Sequence, residues 1–127
     1  MCGITGFISK SSISINLEEE IQTMIKAINH RGPDGNGFWI NKDKKLALGH
    51  TRLSILDLSE NGSQPMISHN SRYIISYNGE IYNYKEIRDK LQFNNFRSDT
   101  DTEVLLEAIN EWGVHKTLNQ CIGMFAF

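Results

Sequence analysis

The sequence predicts a single domain of the α+β class with mainly antiparallel strand pairing. Strand-like segments outnumber helical ones, two pairs of them are joined by short polar loops, and no internal repeat or low-complexity stretch interrupts the 127 residues. That length suits one domain with a sizeable core.

In chain order, residues 2–9 read as a short apolar strand carrying Ile4, Phe7 and Ile8, followed by a serine-rich connection. Leu17, Ile21, Met24, Ile25 and Ile28 then recur at helical spacing, with Asn16 as the expected N-cap. Glu18, Glu19 and Glu20 fall in the first turn, where negative charge complements the exposed N–H groups, so they are assigned to helix stability. The run from His30 to Gly37 holds three glycines and a proline, which demands turns and permits close backbone approach. Residues 38–40 and 46–52 are β-prone and flank a polar, lysine-rich loop, the pattern of a hairpin. A second hairpin-like unit spans residues 66–69 and 72–77 around Asn70 and Ser71. A helix is expected over about 84–93. The next is better specified, because Thr100 and Glu103 read as a capping box ahead of Val104, Leu105, Ala108, Ile109 and Trp112 on one face, with Gly113 as the stop. A short helical piece over 114–120 leads into residues 123–127, expected to be a buried strand. The chain stops inside that apolar segment with no turn after it, as expected of a fragment truncated at its C-terminus.

Composition removes several classes of function. A net charge of −2 without a lysine or arginine stripe argues against a nucleic-acid partner. Apolar runs are only a few residues long and the start lacks the features of a secretory signal, so no membrane partner and a cytoplasmic location are expected. Cys2 and Cys121 make no disulfide framework, and Cys121, in an apolar setting, reads as structural. His30, His50, His69 and His115 show no ligand spacing, so no metal site is expected.

The chemistry concentrates at the start, Met1-Cys2-Gly3-Ile4-Thr5-Gly6-Phe7. Initiator methionine is removed ahead of a small side chain, and its loss would leave Cys2 with both a thiol and a free α-amine. A free cysteine thiol ionises near about 8.5 and an α-amine near about 7.7–8.0, so the amine can take the thiol proton at neutral pH. An N-terminal nucleophile served by its own amine is one way to activate a weak attacker.

Five polar motifs follow one another: Cys2-Gly3-Ile4, Arg31-Gly32-Pro33-Asp34-Gly35, His50-Thr51-Arg52-Leu53-Ser54-Ile55, Asn78-Gly79-Glu80-Ile81-Tyr82-Asn83 and Ser98-Asp99-Thr100-Asp101-Thr102-Glu103. Each alone is weak. In this order, over essentially the whole chain, they resemble the glutamine amidotransferase domain of glutamine-hydrolysing asparagine synthetases, class II amidotransferases with an N-terminal nucleophile hydrolase fold. Sugar-phosphate aminotransferases of the class typically carry Arg-Gly-Tyr-Asp-Ser and His-Thr-Arg-Trp instead, so Pro33 and Leu53-Ser54-Ile55 favour the asparagine synthetase branch. Synthetase-like relatives in polysaccharide and peptide-antibiotic pathways share the same features.

The resemblance implies an αββα sandwich. It also implies that residues 1–127 are an incomplete amidotransferase domain whose C-terminal part and synthetase domain lie elsewhere. L-Glutamine would be the substrate, a zwitterion that needs a cation for its carboxylate, an anion for its ammonium and donors for its amide oxygen. By similarity, Cys2 is the nucleophile and Arg52 holds the α-carboxylate, where a guanidinium makes two charge-assisted bonds that lysine could not reproduce. Asp101, aided by Gly79 and Glu80, takes the α-ammonium, although an acidic residue in a first helical turn is stabilising in its own right. The Asn78 side chain and the Gly79 N–H form the oxyanion hole. Backbone groups of Leu53, Ser54, Ile55 and Leu56 touch the substrate, while Arg31 and Gly32 shape the pocket and order the nucleophile's surroundings. His30 and His50 are assigned structural roles, because the Cys2 amine already supplies a base.

No cofactor is expected in this domain. ATP and Mg2+ are expected in the synthetase domain of the parent protein, where ammonia would amidate aspartate, and the resemblance leaves room for a homodimer. Two alternatives stand beside this reading: a glutamine-binding or vestigial module without catalysis, and an amidotransferase serving a different acceptor.

Overall fold

The computed structural model of the chain describes residues 2–9, 16–43, 45–53 and 60–127. Strands β1 (Gly3–Ile8), β2 (Gly35–Ile40) and β3 (Leu46–Arg52) form an antiparallel sheet in the order β1-β3-β2. The expected hairpin joins β2 to β3. Asn41 organises its loop, its Oδ1 accepting from the N–H groups of Lys45 (2.7 Å) and Leu46 (2.8 Å), a local bond for which asparagine is suited.

Helix α1 (Leu17–Ala27) starts as expected, with Asn16 accepting from the Glu18 N–H at 3.2 Å. Its buried face sets Ile21 and Ile25 on Ala47 of β3, with Phe7, Met24 and Ile40 around them. One small core therefore lies between α1 and the sheet.

The larger core surrounds helix α3 (Asp101–Trp112), where every residue from 101 to 109 is buried. Val104, Leu105, Leu106, Ala108 and Ile109 meet Ile87 of helix α2 (Tyr84–Lys90) and Met66 and Ile75 of the short strands β4 (Met66–Ile67) and β5 (Ile74–Ile75). Strand β6 (Asn78–Ile81) pairs antiparallel with β7 (Gly123–Ala126), and helix α4 (Val114–Leu118) connects α3 to β7. The class is α+β with antiparallel sheets, as expected. Among the described residues no helix is long and apolar enough to cross a membrane.

Several expectations are corrected. The capping box is only half formed: Thr100 Oγ1 accepts from the Glu103 N–H (3.3 Å), but the Glu103 carboxylate turns away to the N–H groups of Arg97 and Ser98 and the Ser98 hydroxyl. Burial alone would raise that carboxyl, yet these donors and the Arg97 guanidinium outweigh it and hold it below its ordinary range. Helix α2 stops at Lys90: the Leu91 N–H closes a tighter turn onto the Arg88 carbonyl, and the N–H groups of Gln92 and Phe93 are taken by Glu111. The second hairpin shrinks to two residues a side, since the Ser68 hydroxyl and Asn70 amide oxygen capture the N–H groups of Tyr73 and Arg72. Asn78 to Ile81, not read as a strand, pair with β7. The latter is only half buried, with Met124 73% exposed and Phe125 packed toward the core. Cys121 is structural as expected, its thiol donating to the Thr117 carbonyl at 3.3 Å.

Candidate active site

Sheet register brings the first two motif groups together. Gly3 of β1 pairs with Thr51 of β3, so Cys2 stands opposite the Arg52 end of the central strand, while Gly35 of β2 pairs with Arg52 from the other side. The Cys2 thiol lies 3.4 Å from the Leu53 N–H and 3.8 Å from the Leu53 carbonyl. Arg31 Nε donates to the Cys2 carbonyl at 3.1 Å. The nucleophile candidate is thus held from both sides by main-chain and guanidinium contacts.

Gly32 makes this approach feasible. A Cβ there would lie 2.6 Å from main-chain atoms of Thr51 and Arg52, and backbone cannot give way as a flexible side chain would. The turn is further tied to β3 by the Asp34 N–H donating to the Arg52 carbonyl at 3.0 Å.

Arg52 projects toward the start of α3. A Cβ on Gly62 would lie 2.5 Å from its terminal nitrogen and 3.2 Å from the Thr100 methyl, so the guanidinium and the N-cap of α3 share one neighbour. The next residue is Asp101, 5% exposed. Its Oδ2 accepts from the Tyr77 hydroxyl (2.8 Å) and the Ile81 N–H (2.9 Å). Asp101 is therefore bonded to the strand that carries Asn78, Gly79 and Glu80.

That strand is linked back to the Cys2 sheet. His50 Nε2 sits 3.0 Å from the Tyr77 carbonyl, and the Ser76 hydroxyl donates to the Gly49 carbonyl at 3.0 Å. A carbonyl only accepts, so Nε2 carries the proton, and Nδ1 has no partner among the described residues. Burial pushes His50 down to about 4, against the Tyr77 bond and with help from the Arg52 charge.

A stability effect follows from that neutral ring. Unfolded His50 would titrate near its ordinary value of 6.5 and the folded ring near about 4, so the unfolded chain binds more protons between those pH values. Stability is therefore fully present above pH 6.5 and falls as the pH drops toward 4, by up to about 3 kcal/mol for a shift of this size. Urea midpoints across this range should show the decline, and His50→Gln, which cannot charge, should flatten it.

The structure thus brings Cys2, Arg31, Gly32, Arg52 and Leu53 together, and separately joins Asp101 to the Asn78–Ile81 strand, with His50 and Arg52 reaching between the two groups. Asn78 is half-buried and Glu80 exposed. Ser54, Ile55 and Leu56 lie outside the described residues. The close approach at Gly79 is to β7, since a Cβ there would come within 2.5 Å of the Met124 carbonyl oxygen. Sequence reasoning did not single out Tyr77 or Gln64, whose Oε1 accepts the Tyr77 N–H at 2.6 Å and whose Nε2 donates to Thr102 Oγ1 at 3.4 Å. The only signal for Tyr77 was its place beside Asn78. Among the described residues no group of three or more His, Cys, Asp or Glu is arranged to hold a metal ion.

The family model described as "Glutamine amidotransferase domain" matches residues 1–127. Over the whole chain, the sequence is 40% identical to asparagine synthetase 1 (glutamine-hydrolyzing) of Bacillus subtilis strain 168 and 34% identical to asparagine synthetase 1 (glutamine-hydrolyzing) of Arabidopsis thaliana. It is also 34% identical to amidase chry2 of Gibberella zeae, again over the whole chain. The chain spans 20%, 21% and 20% of the length of these three relatives. A full-length match to the family model, joined to the order of the site residues, leads to one conclusion: the chain belongs to the glutamine amidotransferase domain family.

Proposed function

We propose that this domain hydrolyses glutamine through a Cys2 thioester and supplies the ammonia to a synthetase domain of a larger protein. The observation that carries the reading is the β1–β3 register, which sets Cys2 opposite the strand end bearing Arg52 and against the Leu53 main chain. The fold in this reading is the αββα sandwich of N-terminal nucleophile hydrolases.

After loss of Met1, the Cys2 α-amine takes the thiol proton and the thiolate attacks the glutamine side-chain carbonyl carbon. The negative oxygen that forms meets the Asn78 amide and the Gly79 N–H. On collapse, the C–N bond breaks and the proton passes to the leaving nitrogen, releasing ammonia. Water then adds to the γ-glutamyl thioester, the C–S bond breaks, and glutamate leaves as the thiol is restored. Arg52 pairs with the α-carboxylate and Asp101 with the α-ammonium, the main chain of Leu53, Ser54, Ile55 and Leu56 lines the substrate, and Glu80 flanks its ammonium end. Arg31 holds the Cys2 carbonyl and so fixes the direction of attack.

Relatives named as glutamine-hydrolyzing asparagine synthetases support aspartate as the acceptor in the parent protein. ATP and Mg2+ belong in this reading to the synthetase domain. The amidase name of the Gibberella relative keeps a different acceptor as the second reading.

Arg52→Lys tests the substrate assignment. It keeps the charge but loses the planar two-bond fork, so the KM for glutamine should rise about 10- to 100-fold with a smaller change in kcat. Steady-state glutamate release from the full-length protein measures this. An unchanged KM would remove Arg52 from carboxylate binding.

A further inference from the structure

Tyr77 is 2% exposed and attached at three polar points. Its N–H donates to Gln64 Oε1 (2.6 Å), its carbonyl accepts from His50 Nε2 (3.0 Å), and its hydroxyl donates to Asp101 Oδ2 (2.8 Å). Gln64 in turn donates to Thr102, the residue after Asp101, at 3.4 Å. Tyr77 therefore reaches the first turn of α3 twice, directly and through Gln64, while His50 ties its main chain to the strand that ends in Arg52.

Asp101 could not keep this orientation by itself. A buried carboxylate needs donors for its oxygens, and those on Oδ2 are the Tyr77 hydroxyl and the Ile81 N–H. Burial first, and then the charge and hydrogen bond of Asp101, push the Tyr77 phenol far above its ordinary value, so it remains a donor at every physiological pH. The ring itself packs against Phe125, centroids 6.4 Å apart, so a phenylalanine would retain the packing and lose only the donor.

We propose that Tyr77 is a positioning residue for substrate recognition, its hydroxyl holding the Asp101 carboxylate in the one orientation that meets the α-ammonium of an α-amino acid. The inference rests on the reading that Asp101 binds that ammonium. It gives the residue before the oxyanion motif a part in selecting the substrate. A carboxylate left with the Ile81 N–H as its one donor on Oδ2 would be held less firmly and lose affinity for the ammonium, while the reacting thiol and amide carbon stay untouched.

The test is a double-mutant cycle in the full-length protein, comparing wild type, Tyr77→Phe, Asp101→Asn and the pair. Competent sites are counted by Cys2 labelling with 6-diazo-5-oxonorleucine, and rates are expressed per labelled site, so that loss of folded protein does not pass for loss of affinity. Tyr77→Phe is expected to raise the KM for glutamine about tenfold, the effect of one hydrogen bond to a charged group, with kcat within about twofold. In the Asp101→Asn background, the same change should alter kcat/KM by less than about twofold. An equal tenfold loss in both backgrounds, a loss confined to kcat, or no loss in the wild-type background would each overturn the proposal while leaving Asp101 as the ammonium partner. If Asp101→Asn alone leaves the KM unchanged, the ammonium reading fails, and the proposal fails with it.

Discussion

Cys2→Ala in the full-length protein should lower glutamate release from glutamine by about 10,000-fold or more, because the proposed acyl intermediate forms on the Cys2 sulfur. Glutamine should still bind, since Arg52, Asp101 and the Leu53 main chain are untouched, and calorimetric titration would show it. The separation of binding from turnover is the informative part. A catalytically silent glutamine-binding module would show no turnover before the substitution and the same binding after it. An alanine variant that still released glutamate at an appreciable rate would require a different nucleophile. Cys121 is a poor replacement: its thiol donates within α4's last turn, and burial raises it above its ordinary value, which disfavours the thiolate.

Asn78→Ala should lower kcat by about 100- to 1000-fold, the usual effect of removing one oxyanion donor, with a much smaller change in the KM for glutamine. The reason is differential binding: the amide is needed most when the substrate oxygen carries negative charge. Asn78 opens β6, and β6 is fixed at three places: by its ladder with β7, by the Ile81 N–H on Asp101, and by the His50 bond to the preceding residue. The side chain can therefore be truncated without releasing the strand. Single-turnover rates of thioester formation would show the effect without interference from product release. A change confined to KM would place Asn78 in ground-state binding instead.

What the sequence made legible was what local physics decides. The period of Leu17, Ile21 and Ile25 and the Asn16 cap specified α1, and the polar stretch around Lys42 and Asp43 specified the β2–β3 hairpin. The five motifs pointed to the family because their order is itself a pattern, and the full-length family match agrees. Contacts between distant segments were not legible. The short β4–β5 pair, the β6–β7 ladder and the early end of α2 depend on side chains such as Ser68, Asn70 and Glu111 competing for backbone donors. Glu103 shows the same limit: a capping-box spacing gave its position, while the 97–98 loop decided where its carboxylate went. At Asp101, helix stabilisation and substrate binding were indistinguishable by position, and the bonds from Tyr77 and Ile81 add a third role, joining α3 to β6. The packing of Gly79 against β7, where a Cβ would lie 2.5 Å from the Met124 carbonyl oxygen, was likewise not legible.

The proposed chemistry requires Cys2 to be a processed, acylable N-terminus. The decisive measurement is intact-protein and peptide mass spectrometry of the full-length protein after 6-diazo-5-oxonorleucine treatment, alongside glutamate release from glutamine. Turnover, loss of Met1, and a single adduct on the Cys2 sulfur that forms in step with loss of activity are the expected result. A processed and folded protein that released no glutamate and took up no adduct, or one that carried its adduct on another residue, would contradict it.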